Sequence, residues 1–426
     1  MGTPSSIVDL LQDPPPATLL ALLDAGATPP SPEDVLSRLE QLGVQAAEID
    51  DDDAPAFRMI AELGVGPDAV PLSIFLEPAG DPLLSLGVSW RGVLGEDEDA
   101  ARASRWALGV SQLMAHDPLR AFHALLRVLY AIVPEPTLVV DADSLIPRPG
   151  GWLAEVALGE TPPSPTHLFS IHQVSEPGGE LSWLHTHGLA RCGAIELDIL
   201  DAPSGDAGLL AQMVNAAAGL LIERGVPEAG EPFVVGQDLV LAWLPWDRAI
   251  SEHTPQGLGG PSDRDSVHAG ARGVLFAVED DGELSSVEQY LPILRENPLL
   301  YVSVMETERM ALLASERLPR FLSLFRTLGE DPEWMFLVKL GYEVDDPAED
   351  GEREHLWFHV HELSGSEVDA TLLNQPYRLE RLSEGQRAKH SLALLSDWAI
   401  LCDKGRFDAD SVGELERALA RDLALH

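Results

Sequence analysis

The chain has 426 residues, 45% of them hydrophobic, which predicts a folded protein of about two to four domains rather than a disordered one. Its 28 basic and 70 acidic residues give a formal net charge of −42. This acidity argues against nucleic acid as a partner, because binding phosphates needs clustered Lys and Arg. It also argues against adsorption to an anionic membrane surface.

The cysteines and the amino terminus bear on the compartment. Cys192 and Cys402 are the two cysteines, and no CxxC motif exists, so a disulfide framework and a cysteine-based zinc site are both excluded. The first residues show no basic region followed by an apolar run, and no apolar run approaches the roughly 18 residues of a membrane-spanning helix. We therefore expect a cytoplasmic protein with reduced thiols and no membrane association.

The first 65 residues are expected to form a helical amino-terminal segment. Ser31 is placed as a helix N-cap, with Pro32 at the first helical position. Leu39 continues the apolar spacing of a helix, and Gly43 ends it.

Residues 66–160 are expected to form an α+β domain. The pattern predicts strands over 70–77, 83–90 and 138–140, and helices over 100–115 and 119–132. Prolines and glycines are dense between 134 and 165, which indicates a boundary.

Residues 161–330 are expected to form a second α+β domain, and residues 331–426 a β-rich carboxy-terminal domain. Helices are predicted over 207–224, 284–294 and 306–325, and strands over 274–278 and 299–304. The Gly- and Pro-rich stretch 253–273 is either a long mobile loop or a linker. The predicted fold class is therefore α+β, multi-domain, with small antiparallel β-rich, barrel-like units and packed helices.

His185 and His187 are the sharpest candidates for chemistry. Residues i and i+2 of a strand point to the same face, so both imidazoles are expected side by side. His172 on the preceding strand could supply a third nitrogen, and Glu196 or Asp198 a carboxylate, which together would suit a metal ion. The alternative is that these histidines only hydrogen-bond backbone groups and carboxylates near a turn.

A similar pattern recurs later in the chain. Trp183-x-His185-x-His187 is echoed by Trp357-x-His359-x-His361, each strand following a Gly-Glu turn. The echo is consistent with a duplicated β-unit, or with two independent hairpins that converged on one pattern. The second pair is a weaker metal candidate, because neighbouring aromatic residues indicate packing.

Motifs for other chemistry are missing or incomplete. The sequence has no Gly-x-Ser-x-Gly elbow, no Gly-x-Gly-x-x-Gly after a strand and no Walker A motif. Cys192 with His187 is a conceivable nucleophile and base, but a buried structural thiol is the simpler interpretation. We assign no catalytic residue and no cofactor.

Residues 331–426 resemble the YegJ-like domain, a bacterial family of unknown function. The matching residues are Phe336, Leu337, Val338, Lys339, Glu354, His355, Leu356, Trp357, Asn374, Gln375, Pro376, Gly385, Gln386, Asp397 and Trp398. The sequence departs from the family pattern at Gln386, where Asp is usual. The region before it, including 183–189, Arg191, Gly193 and 306–310, resembles a second uncharacterised bacterial domain. The resemblance implies a bacterial cytosolic protein, and no catalytic residue can be transferred from either family.

The sequence is consistent with two functions. The acidity and the lack of a complete catalytic motif favour a non-enzymatic binding protein, one that could neutralise a basic protein partner. The alternative is a metal-dependent hydrolase using His172, His185 and His187. The sequence leaves open whether the protein is an enzyme, and it does not give the oligomeric state.

Overall fold

The chain forms an α+β protein of several antiparallel sheets and packed helices, as predicted. The computed structural model describes residues 11, 13–49, 56–64, 69–80, 90, 93, 95–114, 117–264, 268, 270–296, 300, 303–347 and 352–424. The fold divides into two compact units, the first made of Met1–Leu158 and Pro165–Ser303 and the second of Gly159–Ser164 and Val304–His426. In the described part of the chain the three sheets are open rather than closed, so the barrel-like character expected of them is corrected.

The first unit begins with a seven-stranded sheet in the order β2-β3-β4-β5-β1-β6-β7. Its strands are β1 (Ala17–Leu22), β2 (Gln45–Ile49), β3 (Phe57–Leu63), β4 (Val70–Pro78), β5 (Trp106–Gln112), β6 (Leu138–Asp141) and β7 (Ile146–Pro149). Its helices are α1 (Pro32–Gln41), α2 (Gly95–Ala103), α3 (Pro118–Ile132) and α4 (Gly150–Ala157). The helix after Pro32 is confirmed, and the Ser31 side chain caps it by accepting from the Asp34 amide.

Two expectations for this region are wrong. Residues 1–65 are not simply a helical segment, because β1, β2 and β3 belong to the sheet and β1 lies in its interior between β5 and β6. Five of the six residues of β1 are buried, and a short run that is apolar on both faces has no periodicity to distinguish strand from helix. The helix expected over 100–115 ends at Ala103 and is followed by β5. The strand expected over 83–90 lies outside the described residues, apart from Trp90.

The first unit continues with a second sheet in the order β11-β12-β13-β10-β9-β8, with β14 paired to β13. Its strands are β8 (Ser170–Ser175), β9 (Leu181–His187), β10 (Glu196–Pro203), β11 (Phe233–Gly236), β12 (Leu239–Pro245), β13 (Arg272–Val278) and β14 (Leu284–Ser285), and its helices are α5 (Ala207–Arg224), α6 (Trp246–Glu252) and α7 (Leu291–Arg295). The helix over 207–224 is confirmed. The helix expected over 284–294 is instead β14, a 3-10 turn and the short α7.

One face of the second sheet forms the core and the other carries the histidines. Leu184 on β9 and Leu197 on β10 belong to the same buried cluster as Leu210 and Met213 of α5. His185 and Asp198 immediately follow these leucines, so they point to the opposite face. Packing against α5 therefore fixes which side chains of β9 and β10 face away from the core.

The second unit is a six-stranded antiparallel sheet in the order β18-β17-β16-β15-β19-β20. Its elements are β15 (Met335–Glu343), β16 (Arg353–Ser364), β17 (Glu367–Leu372), β18 (Arg387–Ser391), β19 (Leu395–Cys402) and β20 (Gly405–Asp408), with helices α8 (Val304–Leu328) and α9 (Val412–Ala424). Phe321 of α8 packs on Phe336 and Trp398, and the Trp398 indole donates to the Ala314 carbonyl at 3.0 Å. Among the described residues, no helix is both long and apolar enough to cross a membrane.

Candidate metal centre

Three adjacent strands bring the predicted histidines together. His172 on β8 lies directly opposite His185 on β9, which lies directly opposite Asp198 on β10. His187 is two residues beyond His185 and shares its face. The strand register, rather than the spacing along the chain, is what places His172 beside the pair.

The imidazole rings of His172, His185 and His187 form a tight cluster. Each can offer a nitrogen such that the three nitrogens lie within 4.8 Å of one another. The ring centroids are 5.6 Å apart for His172 and His185, 4.8 Å for His172 and His187, and 4.9 Å for His185 and His187. Nitrogen ligands of zinc stand about 2.0–2.1 Å from the ion, so a small contraction of this cluster would suit one metal ion.

The cluster is held in the form that binds metals. His185 is 2% exposed and His187 is 5% exposed. Burial lowers the pKa of His185, and the neighbouring imidazoles and Arg272 lower it further. Burial also lowers the pKa of His172. Neutral imidazole is the ligand form, so His172 and His185 need not lose a proton before a metal can bind.

Two nitrogens of the cluster have no hydrogen-bond partner among the described residues. They are Nδ1 of His185 and Nε2 of His172, and both are buried. A buried polar atom without a partner costs free energy, on the order of 1–3 kcal/mol. Such orphan atoms favour a missing ligand over the alternative that these histidines are satisfied by the backbone and carboxylates.

A fourth histidine, which the sequence did not single out, joins the cluster. His268 places its Nε2 3.3 Å from Nε2 of His185, and its ring lies 5.2 Å from the ring of His187. It comes from the Gly- and Pro-rich stretch between α6 and β13, where no periodic pattern predicts the direction of a side chain. The sequence feature that could have indicated His268 as a site residue is its place in a glycine-rich stretch.

The stretch that carries His268 lies between β12 and β13, which pair with each other in one sheet, so it is not a linker between domains. The Asp201 carboxylate accepts from the amides of Gln256 and Gly257. The Asp263 carboxylate accepts from the amides of Gly259 and Gly260 at 3.0 Å. The Asp201 bonds attach the loop to β10, the Asp263 bonds hold its own backbone, and Gly259 packs against Trp183, on the face that carries the histidines.

The carboxylates suggested as further ligands are engaged elsewhere. Glu196 accepts from the Thr186 hydroxyl at 2.6 Å and from the amides of Gly188 and Ala190. Asp198 is paired with two arginines, Arg264 at 2.8 Å and Arg272 at 2.9 Å. Among the described residues, the donor set is therefore imidazole alone, without a carboxylate.

Cys192 is not suited to the nucleophile role that the sequence allowed. Burial raises the pKa of its thiol to about 12, and the thiol faces the Gly188 carbonyl. A thiol that stays protonated near neutral pH is a weak nucleophile.

The second His-x-His segment gathers no third ligand among the described residues. The rings of His359 and His361 are 4.7 Å apart, and His361 Nε2 hydrogen-bonds the Thr371 hydroxyl at 2.7 Å. His355 is bonded to the Ser396 hydroxyl at 2.8 Å. The segment with His359 and His361, the weaker metal candidate, therefore carries hydrogen-bonded side chains on one face of the sheet.

Fold and site together define an α+β protein with a buried cluster of imidazoles on one face of a mixed sheet. Residues 18–163 match the family model described as "Protein of unknown function (DUF4026) N-terminal", and residues 171–276 match its C-terminal counterpart. Residues 331–422 match the model described as "Uncharacterized protein conserved in bacteria (DUF2314)". The expectation of uncharacterised domains is confirmed. The matched segment 171–276 contains all four histidines of the cluster, which are His172, His185, His187 and His268. No curated protein and no solved structure matches the chain.

Proposed function

We propose that the chain is a metal-dependent hydrolase centred on His172, His185 and His187. The proposal rests on three imidazoles, two of them with buried nitrogens that lack a hydrogen-bond partner among the described residues, which offer nitrogens within 4.8 Å of one another. Imidazole is a good ligand for zinc and related divalent transition metals. Three protein ligands leave a coordination position open, which distinguishes catalytic from structural zinc sites.

The residues of the chain would hold the ion and limit the water around it. A divalent ion at such a centre acts as a Lewis acid and makes water nucleophilic at neutral pH. Trp183, 4.1 Å from His185 between ring centroids, covers one side of the cluster. His268, beside His185, is positioned to accept or donate a proton there.

The test is hydrolysis of two generic probes, p-nitrophenyl phosphate and p-nitrophenyl acetate, by protein stripped with a chelator and reloaded with zinc, manganese or cobalt. We expect turnover to be lost on stripping, restored by one of the metals, and lost in His185→Ala. His359→Ala, from the other His-x-His strand, is the matched control and should keep full activity. Equal turnover of His185→Ala and the control would contradict the proposal.

A second candidate is a non-enzymatic role as the binder of a basic protein. The specific observation is the excess of 70 acidic over 28 basic residues. Such a surface attracts basic partners at long range, with a strong dependence on ionic strength. Binding of a small basic protein such as cytochrome c, measured at low and at physiological salt, tests it; binding that is absent at both would remove this candidate.

The setting of either function is proposed to be the bacterial cytoplasm. The description of the 331–422 match names bacteria. Both cysteines are free and only partly exposed, which is typical of a reducing compartment.

A further inference from the structure

Two buried guanidinium groups beside the histidines share one carboxylate. Nη1 of Arg264 lies 2.8 Å from Oδ2 of Asp198, and Nη1 of Arg272 lies 2.9 Å from Oδ1. The side chains are 3%, 1% and 0% exposed for Arg264, Arg272 and Asp198. The two guanidinium groups and the one carboxylate together carry a net charge of +1 away from water, where a charge is costly unless it is paired.

The hydrogen bonding of these arginines is incomplete. Arg264 donates from Nε to the Gly259 carbonyl at 3.1 Å, yet neither of its buried Nη atoms makes a hydrogen bond within the described part of the chain. The contact of Nη1 with Asp198 is an ion pair without hydrogen-bond geometry. Arg272 donates to the Thr186 carbonyl, and its Nε is likewise without a partner among those residues. Buried donors of a charged group are rarely left unmatched, so both arginines indicate an acceptor beyond those that the described residues supply.

Two aromatic rings contact the Arg264 guanidinium. Its guanidinium carbon lies 5.0 Å from the ring centroid of Trp183 and 4.7 Å from that of Trp246. These cation–π contacts restrict the movement of the side chain. A fixed, planar fork of donors matches the geometry of phosphate and carboxylate oxygens.

This arginine pair adjoins the imidazole cluster. Asp198, which both arginines contact, is the cross-strand neighbour of His185. Trp183 touches both groups, since its ring is also 4.1 Å from the ring of His185. A group bound at the arginines would thus lie beside whatever the histidines hold.

We propose that Arg264 and Arg272 form an anion subsite that binds the phosphate or carboxylate group of the substrate next to the imidazole cluster. The catalytic meaning of the subsite rests on the proposed function, whereas anion binding itself does not. Asp198 holds the two forks in place and cancels half of their charge. The substrate class is then an ester or amide that carries an oxyanion group close to the bond that is cleaved.

The test is calorimetric titration of metal-free protein with inorganic phosphate and, as a separate arm, with acetate. We expect saturable binding of one phosphate per chain, weakened about tenfold or more in Arg264→Gln, the loss of roughly one charge-assisted hydrogen bond. Arg264→Lys should bind with intermediate affinity, since it keeps the charge and loses the fork. Arg248→Gln is the matched control, because Arg248 is an exposed arginine that pairs with Glu252 on the surface, and it should bind as the wild type does. Tighter binding in the acetate arm would assign the subsite to carboxylates.

Two results would overturn the subsite. One is wild-type protein that binds neither anion, which decides the matter without any variant. The other is folded Arg264→Gln, or folded Arg264→Lys if Gln prevents folding, that binds as tightly as the wild type. Because the titration uses metal-free protein, a chain that binds phosphate but no metal would refute the proposed hydrolase and leave the subsite standing.

Discussion

Asp397 is a buried carboxyl group whose ionised form lowers the stability of the folded protein. It lies on β19 opposite Lys339, is 4% exposed, and accepts a hydrogen bond from the Trp398 amide. Burial raises the pKa of Asp397 to about 6, an effect to which Asp408 adds and which Lys339 and Arg406 oppose. By contrast, buried Arg191 is matched by Asp141 at 2.6 Å in the first unit.

The raised pKa predicts how Asp397→Asn changes stability. The folded protein binds the Asp397 proton more tightly than the unfolded chain does, so this residue lowers stability as pH rises from about 4 to 6, and the full cost persists above 6. We expect Asp397→Asn to raise the free energy of unfolding at pH 7.5 by roughly 1–3 kcal/mol, and to change it little at pH 4. Urea unfolding at both pH values measures this, with the exposed Asp403→Asn as control. A gain of equal size at both pH values, or a loss at pH 7.5, would contradict it.

Among the elements, hydrophobic periodicity predicted side chains that lie on regular, half-exposed strands, and it missed those on loops and on a strand buried on both faces. His185 and His187 share one face of the sheet because side chains alternate along a strand. The antiparallel pairing of β8 with β9 places His172 beside them. His268 and Arg264 reach the site from a loop, where no period assigns a direction to a side chain. β1 was missed because it is buried on both faces and so lacks the alternation of a half-exposed strand.

The echo between the two His-x-His segments also has a counterpart among the elements. Each lies on the middle strand of three consecutive antiparallel strands, β8–β10 in one unit and β15–β17 in the other. Beyond those strands the sheets differ, because β10 pairs in parallel with β13 whereas β17 pairs with β18 in antiparallel fashion. Common origin and independent convergence both remain consistent with this.

A substitution of Gly259 tests whether the stability of the protein depends on close packing of the loop against β9 and β10. Its φ is +102°, and a Cβ there would stand 2.6 Å from Leu200 Cδ2 and 3.1 Å from Trp183 Cγ. We expect Gly259→Ala to lower the free energy of unfolding by about 2–4 kcal/mol, combining backbone strain with the clash. Gly178→Ala is the matched control, since its φ is +75° and nothing lies within 4 Å of its Cβ position, so it should lose only about 1 kcal/mol. Equal losses in denaturant unfolding would show that the loop does not need this contact.

At the scale of the whole molecule, the net charge of −42 dominates the electrostatics. Self-repulsion of this size destabilises the compact state, and salt screens it over a Debye length of about 10 Å at 0.1 M. Composition predicted the acidity, and the order of predicted strands and helices predicted the α+β class. The division into two units depends on contacts between residues far apart in sequence.

Screening predicts that salt stabilises the protein. Raising sodium chloride from about 20 to 500 mM should increase the thermal midpoint of unfolding by several degrees, because repulsion between like charges falls. Differential scanning calorimetry measures the midpoint, and potassium chloride at the same concentrations is the control for a specific effect of sodium. A midpoint that falls with salt would mean that ion pairs outweigh the repulsion.

Binding of a metal ion by His172, His185 and His187 can be measured as the metal content of tag-free protein, by elemental mass spectrometry after equilibrium dialysis against zinc. We expect one zinc per chain in the wild type, none in the double variant His185→Ala, His187→Ala, and one in the matched control His359→Ala, His361→Ala. Wild-type protein without zinc, or a His185→Ala, His187→Ala variant that retains it, would show that these histidines do not form a metal site.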